Sequence, residues 1–168
     1  MTKKPLVAVL MGSDSDMKVM EGALEVLRSF EVPYEVKVLS AHRAPEEVAN
    51  FAKTADSRGI KVIIAGAGWA AHLAGAIAAN TVLPVIGVPI DSSPLHGWDA
   101  LLSTVQMPPG VPVATVSIGK GGAKNAAFLA VEILALWDER LKNRLVAYRA
   151  ETREAILKKN EELSETMK

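Results

Sequence analysis

In the segment "VLSAHRAPEEV", Val38 to Val48, an imidazole and a guanidinium stand side by side, with a hydroxyl two residues before them. His42 can take up or release a proton near neutral pH, as general acid–base chemistry requires. Arg43 can grip a phosphate with a planar fork that lysine cannot match. Ser40 adds a hydrogen-bonding hydroxyl. Simpler roles exist for both: a packed or helix-capping histidine, and an arginine paired on the surface with Glu46 or Glu47.

A second cluster lies in "MGSDSD", Met11 to Asp16. Gly12 permits a tight turn and close approach of a ligand to the backbone, and Ser13 and Ser15 set hydroxyls beside a helix start. Asp16 suits a sugar diol, because one carboxylate accepts two hydrogen bonds. Ordinary capping explains one or two of these residues, but less readily four in a row. A third stretch, "AGAGWAAHLAG", is built from small residues apart from Trp69, His72 and Leu73. Its turn at Gly68 to Ala70 could cradle a carboxylate or a flat ring through free N–H groups, or it could serve close helix-to-sheet packing. His72 falls inside the helix expected there, as a supporting group rather than the catalyst.

These clusters need a frame that brings them together. Apolar runs at Leu6 to Met11, Tyr34 to Leu39, Lys61 to Ala65 and Pro84 to Val88, with a weaker one at Val111 to Ser117, read as strands. Helical spacing lies between them, as in Met17, Met20, Leu24 and Leu27. Alternating strands and helices imply a parallel sheet covered on both faces. Ligands bind such sheets beyond the carboxyl ends of the strands. The rule gathers four loops into one candidate site: "MGSDSD", "SAHRAP", "AGAGWAAH" and "VPIDSSP".

Beyond the fourth strand, Trp98 to Val105 reads as a short helix, and "KGGAKNAAFLAVEILALWDERL" as one long core helix. The segment from Asp138 to Lys168 carries apolar lines at Leu141, Leu145 and Tyr148 and at Ala155, Ile156 and Leu163, among many charges. We expect a catalytic domain over residues 1–137 and a helical extension over 138–168 that packs on a neighbouring subunit.

Several classes are disfavoured. Lysine plus arginine equals aspartate plus glutamate at 19 each, so no general basic field favours nucleic acid. No cysteine is present, which removes thiolate zinc cages and thiol nucleophiles and fits a reducing cytoplasm. Asp91, His96 and Asp99, or His72 with His96, have no metal-ligand spacing, so no metal is expected. The glycines at 66, 68 and 75 do not make a dinucleotide fingerprint, and no GxxxxGK[ST] motif occurs. The apolar start "MTKKPLVAVLMGSD" breaks at Gly12 and reads as a strand rather than a signal segment. The longest apolar tract is broken by His72, Asn80 and Pro84, so no membrane span is expected.

Taken together, "MGSDSD", "SAHRAP", "VIIAGAG", "AAHL", "LPVIGVP", "LLSTVQMPPGVPVATVSIG" and "NAAFLAVEIL" resemble the bacterial-type, class I N5-carboxyaminoimidazole ribonucleotide mutases of purine biosynthesis, from about Val7 to Leu134. The resemblance implies a three-layer flavodoxin-like α/β sandwich with an extra C-terminal helix, a homo-octamer, and no metal or organic cofactor. It implies the conversion of N5-carboxyaminoimidazole ribonucleotide into 4-carboxy-5-aminoimidazole ribonucleotide. By position His42 would be the catalytic histidine, and Ser13, Asp16 and Arg43 would bind substrate. Ser15 and Ser40 would lie near the phosphate and sugar, and Gly68 to Ala70 would hold the migrating carboxylate, with His72 and Leu73 also in the substrate-binding set. Two positions depart from the usual "GAGGAAHLPG": Trp69 stands at a glycine and Ala74 at a proline. The indole either crowds the carboxylate pocket or turns into a subunit contact. Direct carboxylation of aminoimidazole ribonucleotide by carbon dioxide, and a non-catalytic phosphometabolite-binding module, are the alternatives.

Overall fold

The structure is a computed structural model and describes residues 4–167. Five strands run in the order β2-β1-β3-β4-β5, all parallel: β1 (Val7–Met11), β2 (Tyr34–Val38), β3 (Val62–Ala67), β4 (Val85–Pro89) and β5 (Ala114–Thr115). This is the flavodoxin-like order. Both faces of the central strands are covered, which is why β1 and β4 are apolar at every position rather than alternating.

Successive side chains leave a strand on opposite faces, so each strand feeds two cores. Val7, Val9 and Met11 join Val62, Ile64, Ile86 and Val88 under helices α1 (Met17–Ser29) and α5 (Gly119–Ala135). Ala8, Leu10, Ile63 and Ala65 meet α2 (Pro45–Thr54) and α3 (Leu73–Ala78) on the other face. A further helix, α4 (Trp98–Val105), closes against β4 at Gly87, where an added Cβ would lie 2.3 Å from Thr104 Cγ2. The molecule is therefore a three-layer sandwich.

Two expectations change. The fifth strand shrinks to Ala114–Thr115, at an edge that bonds only to β4. The long helix read from Lys120 to Leu141 is two helices, because α5 stops at Ala135 and α6 (Glu139–Thr166) starts anew. The break is made by Asp138, whose Oδ1 accepts the N–H groups of Arg140 and Leu141 at 2.9 and 3.2 Å.

The start of α6 packs on its own domain. Leu141 and Leu145 are buried in the α1/α5 core, and Tyr148 meets the rings of Phe30 and Phe128. From Val146 onward every described residue of α6 is exposed. No helix among the described residues is long and apolar enough to cross a membrane.

Candidate active site

Strand register decides where the chemistry converges. Met11 lies level with Val38 on one side and Gly66 on the other, so the loops after β1, β2 and β3 leave the same edge of the sheet side by side. The chain turns one way from β1 to β2 and the other way to β3, and a crevice opens at such a reversal. The crevice here has a volume of about 730 Å³, within the roughly 300–1,000 Å³ of ligand sites. Ser13, Ser15, Asp16, Ser40, His42, Arg43, Gly68, Ala70, His72 and Leu73 all line it, together with Trp69.

The first wall is a small capped turn. Ser13 is extended and caps a 3-10 turn over Asp14–Asp16 that runs directly into α1. Asp16 returns the favour, its Oδ2 accepting the Ser13 N–H at 3.0 Å. Ser15 Oγ donates to Ser13 Oγ at 3.0 Å. The residues that cap the turn are thus the ones that face the crevice. Asp16 is 6% exposed, and desolvation pushes its carboxyl above the ordinary aspartate range, with Asp14 adding to the rise. The N–H groups of Ser13 and Gly12 pull the other way.

The second wall begins where β2 ends. Ser40 folds the loop back by accepting the Arg43 N–H at 3.3 Å on its hydroxyl, while its carbonyl accepts the Ala44 N–H at 2.9 Å. Pro45 then starts α2 in the position where its missing N–H costs nothing. Arg43 Nε donates to Ser40 Oγ at 3.2 Å, and one terminal nitrogen donates to the Gly12 carbonyl at 3.2 Å. The guanidinium ties the first two loops together and keeps N–H groups for an anion. Among the described residues it has no ion pair with Glu46 or Glu47.

His42 meets the third wall. Its Nε2 is 2.8 Å from His72 Nδ1, with the rings steeply inclined at 75°. Such a contact needs a proton on one of the two nitrogens and a lone pair on the other. His72 is not inside the helix as expected; it occupies the position just before α3, where the backbone turns in from β3. That position lets its ring reach across the crevice.

The turn after β3 is held from behind by the fourth loop. Ile90 N–H donates to Ala67 O at 2.9 Å, and a Cβ added to Gly68 would lie 1.8 Å from Ser92 Oγ. Only glycine fits there. Ser92 also lines the crevice, and residue-by-residue reading passed over it. The signal was its place in "VPIDSSP", at the carboxyl end of β4. Farther along the fourth loop, His96 Nδ1 is 4.0 Å from Asp91 Oδ1; among the described residues no group of three or more His, Asp or Glu side chains is gathered.

A flavodoxin-like parallel sheet whose crevice sets two histidines in contact beside an arginine bonded to a serine hydroxyl defines a class of α/β protein with the groups to hold an anionic small molecule next to an imidazole. Comparison with known proteins narrows this. A family model described as AIR carboxylase matches residues 6–155. The N5-carboxyaminoimidazole ribonucleotide mutase of Bacillus subtilis is 55% identical over 160 residues, 95% of this chain and 99% of that protein. The protein of the same name from Pyrococcus abyssi is 61% identical over 145 residues, 86% of this chain and 82% of that one. The crystal structure of Treponema denticola PurE superposes with a TM-score of 0.82 at 31% identity, covering 92% of this chain and 95% of that one. The chain belongs to the AIR carboxylase family.

Proposed function

We propose that this chain is the isomerase that converts N5-carboxyaminoimidazole ribonucleotide into 4-carboxy-5-aminoimidazole ribonucleotide in cytoplasmic purine biosynthesis. The names of the Bacillus and Pyrococcus relatives support this substrate. The observation that carries the mechanism is the His42–His72 contact at 2.8 Å beside the Arg43–Ser40 clamp.

Arg43 and Ser40 take the phosphate end, and Ser13, Ser15 and Asp16 take the sugar. That anchorage sets the imidazole ring of the substrate over His42. Protonated His42 donates to the exocyclic nitrogen as its bond to the carboxylate breaks, which leaves an N–H group and free carbon dioxide. Carbon 4 then attacks the carbon dioxide held at the Gly68 to Ala70 turn. Neutral His42 takes the proton from carbon 4, the ring regains aromaticity, and the histidine returns to its starting state. One proton enters and one leaves. His72, through His42 Nε2, orients the imidazole for both transfers. Confinement is the protein's other contribution, since a gas molecule that leaves the crevice ends the reaction halfway.

The working unit in this reading is a homo-octamer, with residues 138–168 as the arm that reaches a neighbouring subunit.

Replacing His42 with asparagine tests the mechanism. The variant should bind the ribonucleotide within about threefold of the parent while turnover falls by at least about a hundredfold, the range of general acid–base assistance. Conversion at a tenth of the parent rate would remove His42 from the proton transfers. Supplying aminoimidazole ribonucleotide with bicarbonate separates this reading from direct carboxylation. Efficient product formation from that pair, and none from the N-carboxylated substrate, would replace the mutase with a carboxylase.

A further inference from the structure

Trp69 has a backbone conformation that its side chain does not favour. Its φ is 53°, in the left-handed region where a bulky residue is an outlier. The turn is not free to relax, because Gly68 is pressed against Ser92 Oγ and Ala67 O is bonded to Ile90 N–H. Strain of this kind persists where the surroundings fix it, and it clusters at ligand sites. Packing within the chain does not compensate it, since the indole is 59% exposed.

The lining of the crevice indicates what does. One end offers hydroxyls, the Asp16 carboxyl and the Arg43 guanidinium, which suit a ribose phosphate. At the other end Ala41, Ala67, Gly68 and Ala70 carry at most a methyl group, too small to cover a ring, and Leu73 is 2% exposed. Trp69 is the largest exposed apolar side chain lining the crevice, and a flat heteroaromatic ring gains most from an aromatic face. The two other tryptophans, Trp98 and Trp137, do not line it.

We propose that Trp69 is a substrate-binding residue, its indole forming the wall of the crevice that packs on the heteroaromatic ring of a ribonucleotide and makes this site selective for a ring-bearing ligand over the bare sugar phosphate. The inference rests on the ribonucleotide reading given above but not on turnover.

Titration calorimetry with aminoimidazole ribonucleotide and with ribose 5-phosphate, on the parent, Trp69→Gly and Trp69→Phe, tests it. Ring contact predicts that Trp69→Gly binds the ribonucleotide about tenfold more weakly, that Trp69→Phe stays within about threefold of the parent, and that ribose 5-phosphate binds all three within about twofold. Glycine accepts a positive φ, so Trp69→Gly should melt no lower than the parent. Ribonucleotide should also quench the parent's tryptophan fluorescence and leave that of Trp69→Phe unchanged.

Equal ribonucleotide affinity in the parent and Trp69→Gly overturns the proposal. So does an equal loss for both ligands, which would mean a collapsed loop, or a change in assembly mass with ring selectivity intact, which would make Trp69 a subunit contact. If the parent selects the ribonucleotide through Trp69 yet never converts the N-carboxylated substrate, the mutase reading fails and the ring contact stands. If the parent does not bind the ribonucleotide, both fail.

Discussion

In the proposed function Arg43 and Asp16 serve structure and ligand with the same atoms, and the two duties can be separated by substitution. Arg43 reaches Ser40 Oγ and Gly12 O at 3.2 Å each, a span that needs a planar fork with donors on different edges. Lysine supplies one point of charge. Arg43→Lys should raise KM for the ribonucleotide about ten- to a hundredfold, the loss expected of one charged hydrogen bond, with a smaller change in kcat; steady-state kinetics read the split. Asp16 makes the opposite point. Its carboxyl titrates above the ordinary range because it is desolvated, so the folded state holds its proton more tightly than the unfolded chain does. Stability from this group is therefore greatest below the unfolded value and falls as pH rises through the folded one. Asp16→Asn keeps an oxygen for the Ser13 N–H and removes the buried charge. It should melt at or above the parent temperature at pH 7, with that advantage shrinking toward pH 4, while ribonucleotide binding weakens. Thermal melts across that range check the sign. Most of these residues were legible in the sequence because their types are chemically loud and stand at strand ends. His72 was expected inside a helix that it only precedes, since the alanines around it carry no boundary signal. Ser92 was hidden because its role depends on Gly68, 24 positions earlier, which no local pattern reveals.

Strands and helices were easiest to read where burial is complete on both sides. The runs at β1, β3 and β4 are continuous because two cores meet there, and the parallel order followed from their alternation with helices. Continuity also caused the main error. Apolar residues run unbroken through "LALW", yet Leu136 and Trp137 are 73% and 82% exposed, so the pattern persists where the helix does not. Hydrophobic spacing records which residues are apolar, and a helix end is recorded by a cap. Asp138 is that cap, with two N–H groups on one oxygen. Asp138→Ala should cost about 1 kcal/mol of stability, read as a lower denaturation midpoint at unchanged m-value. The crevice lies at the far ends of β1 to β3, so ribonucleotide binding should not change. A loss of binding in this variant would tie α6 to the site.

The exposed length of α6 poses a question that one chain cannot answer by itself. The helix spans 28 residues, about 42 Å at 1.5 Å per residue, and only its first turns have a covered face. The Phe30–Phe128–Tyr148 cluster and the Arg149–Glu132 pair at 2.5 Å are its last anchors. Beyond them Ile156, Leu157 and Leu163 are 60%, 46% and 60% exposed, and the Lys158–Glu162 pair at 3.9 Å contributes only a few tenths of a kcal/mol at most. Most helical stability in proteins comes from packing of an apolar face, and within the chain this length of α6 has none. The proposed subunit contact supplies the missing support, and it joins the ordering of the arm to assembly. Removing residues 150–168 should therefore leave a folded, ribonucleotide-binding domain, since every anchor named above is retained. The number of subunits in its assembly, by sedimentation equilibrium, should fall below that of the full chain, and the full chain should lose helical signal on dilution as it dissociates. A truncated chain that keeps the full assembly would show that the arm is carried by the oligomer without holding it together. The interface would then lie on another face, and the exposed Trp98, Leu102 and Val105 of α4, spaced along one side of that helix, would be the surface to substitute next.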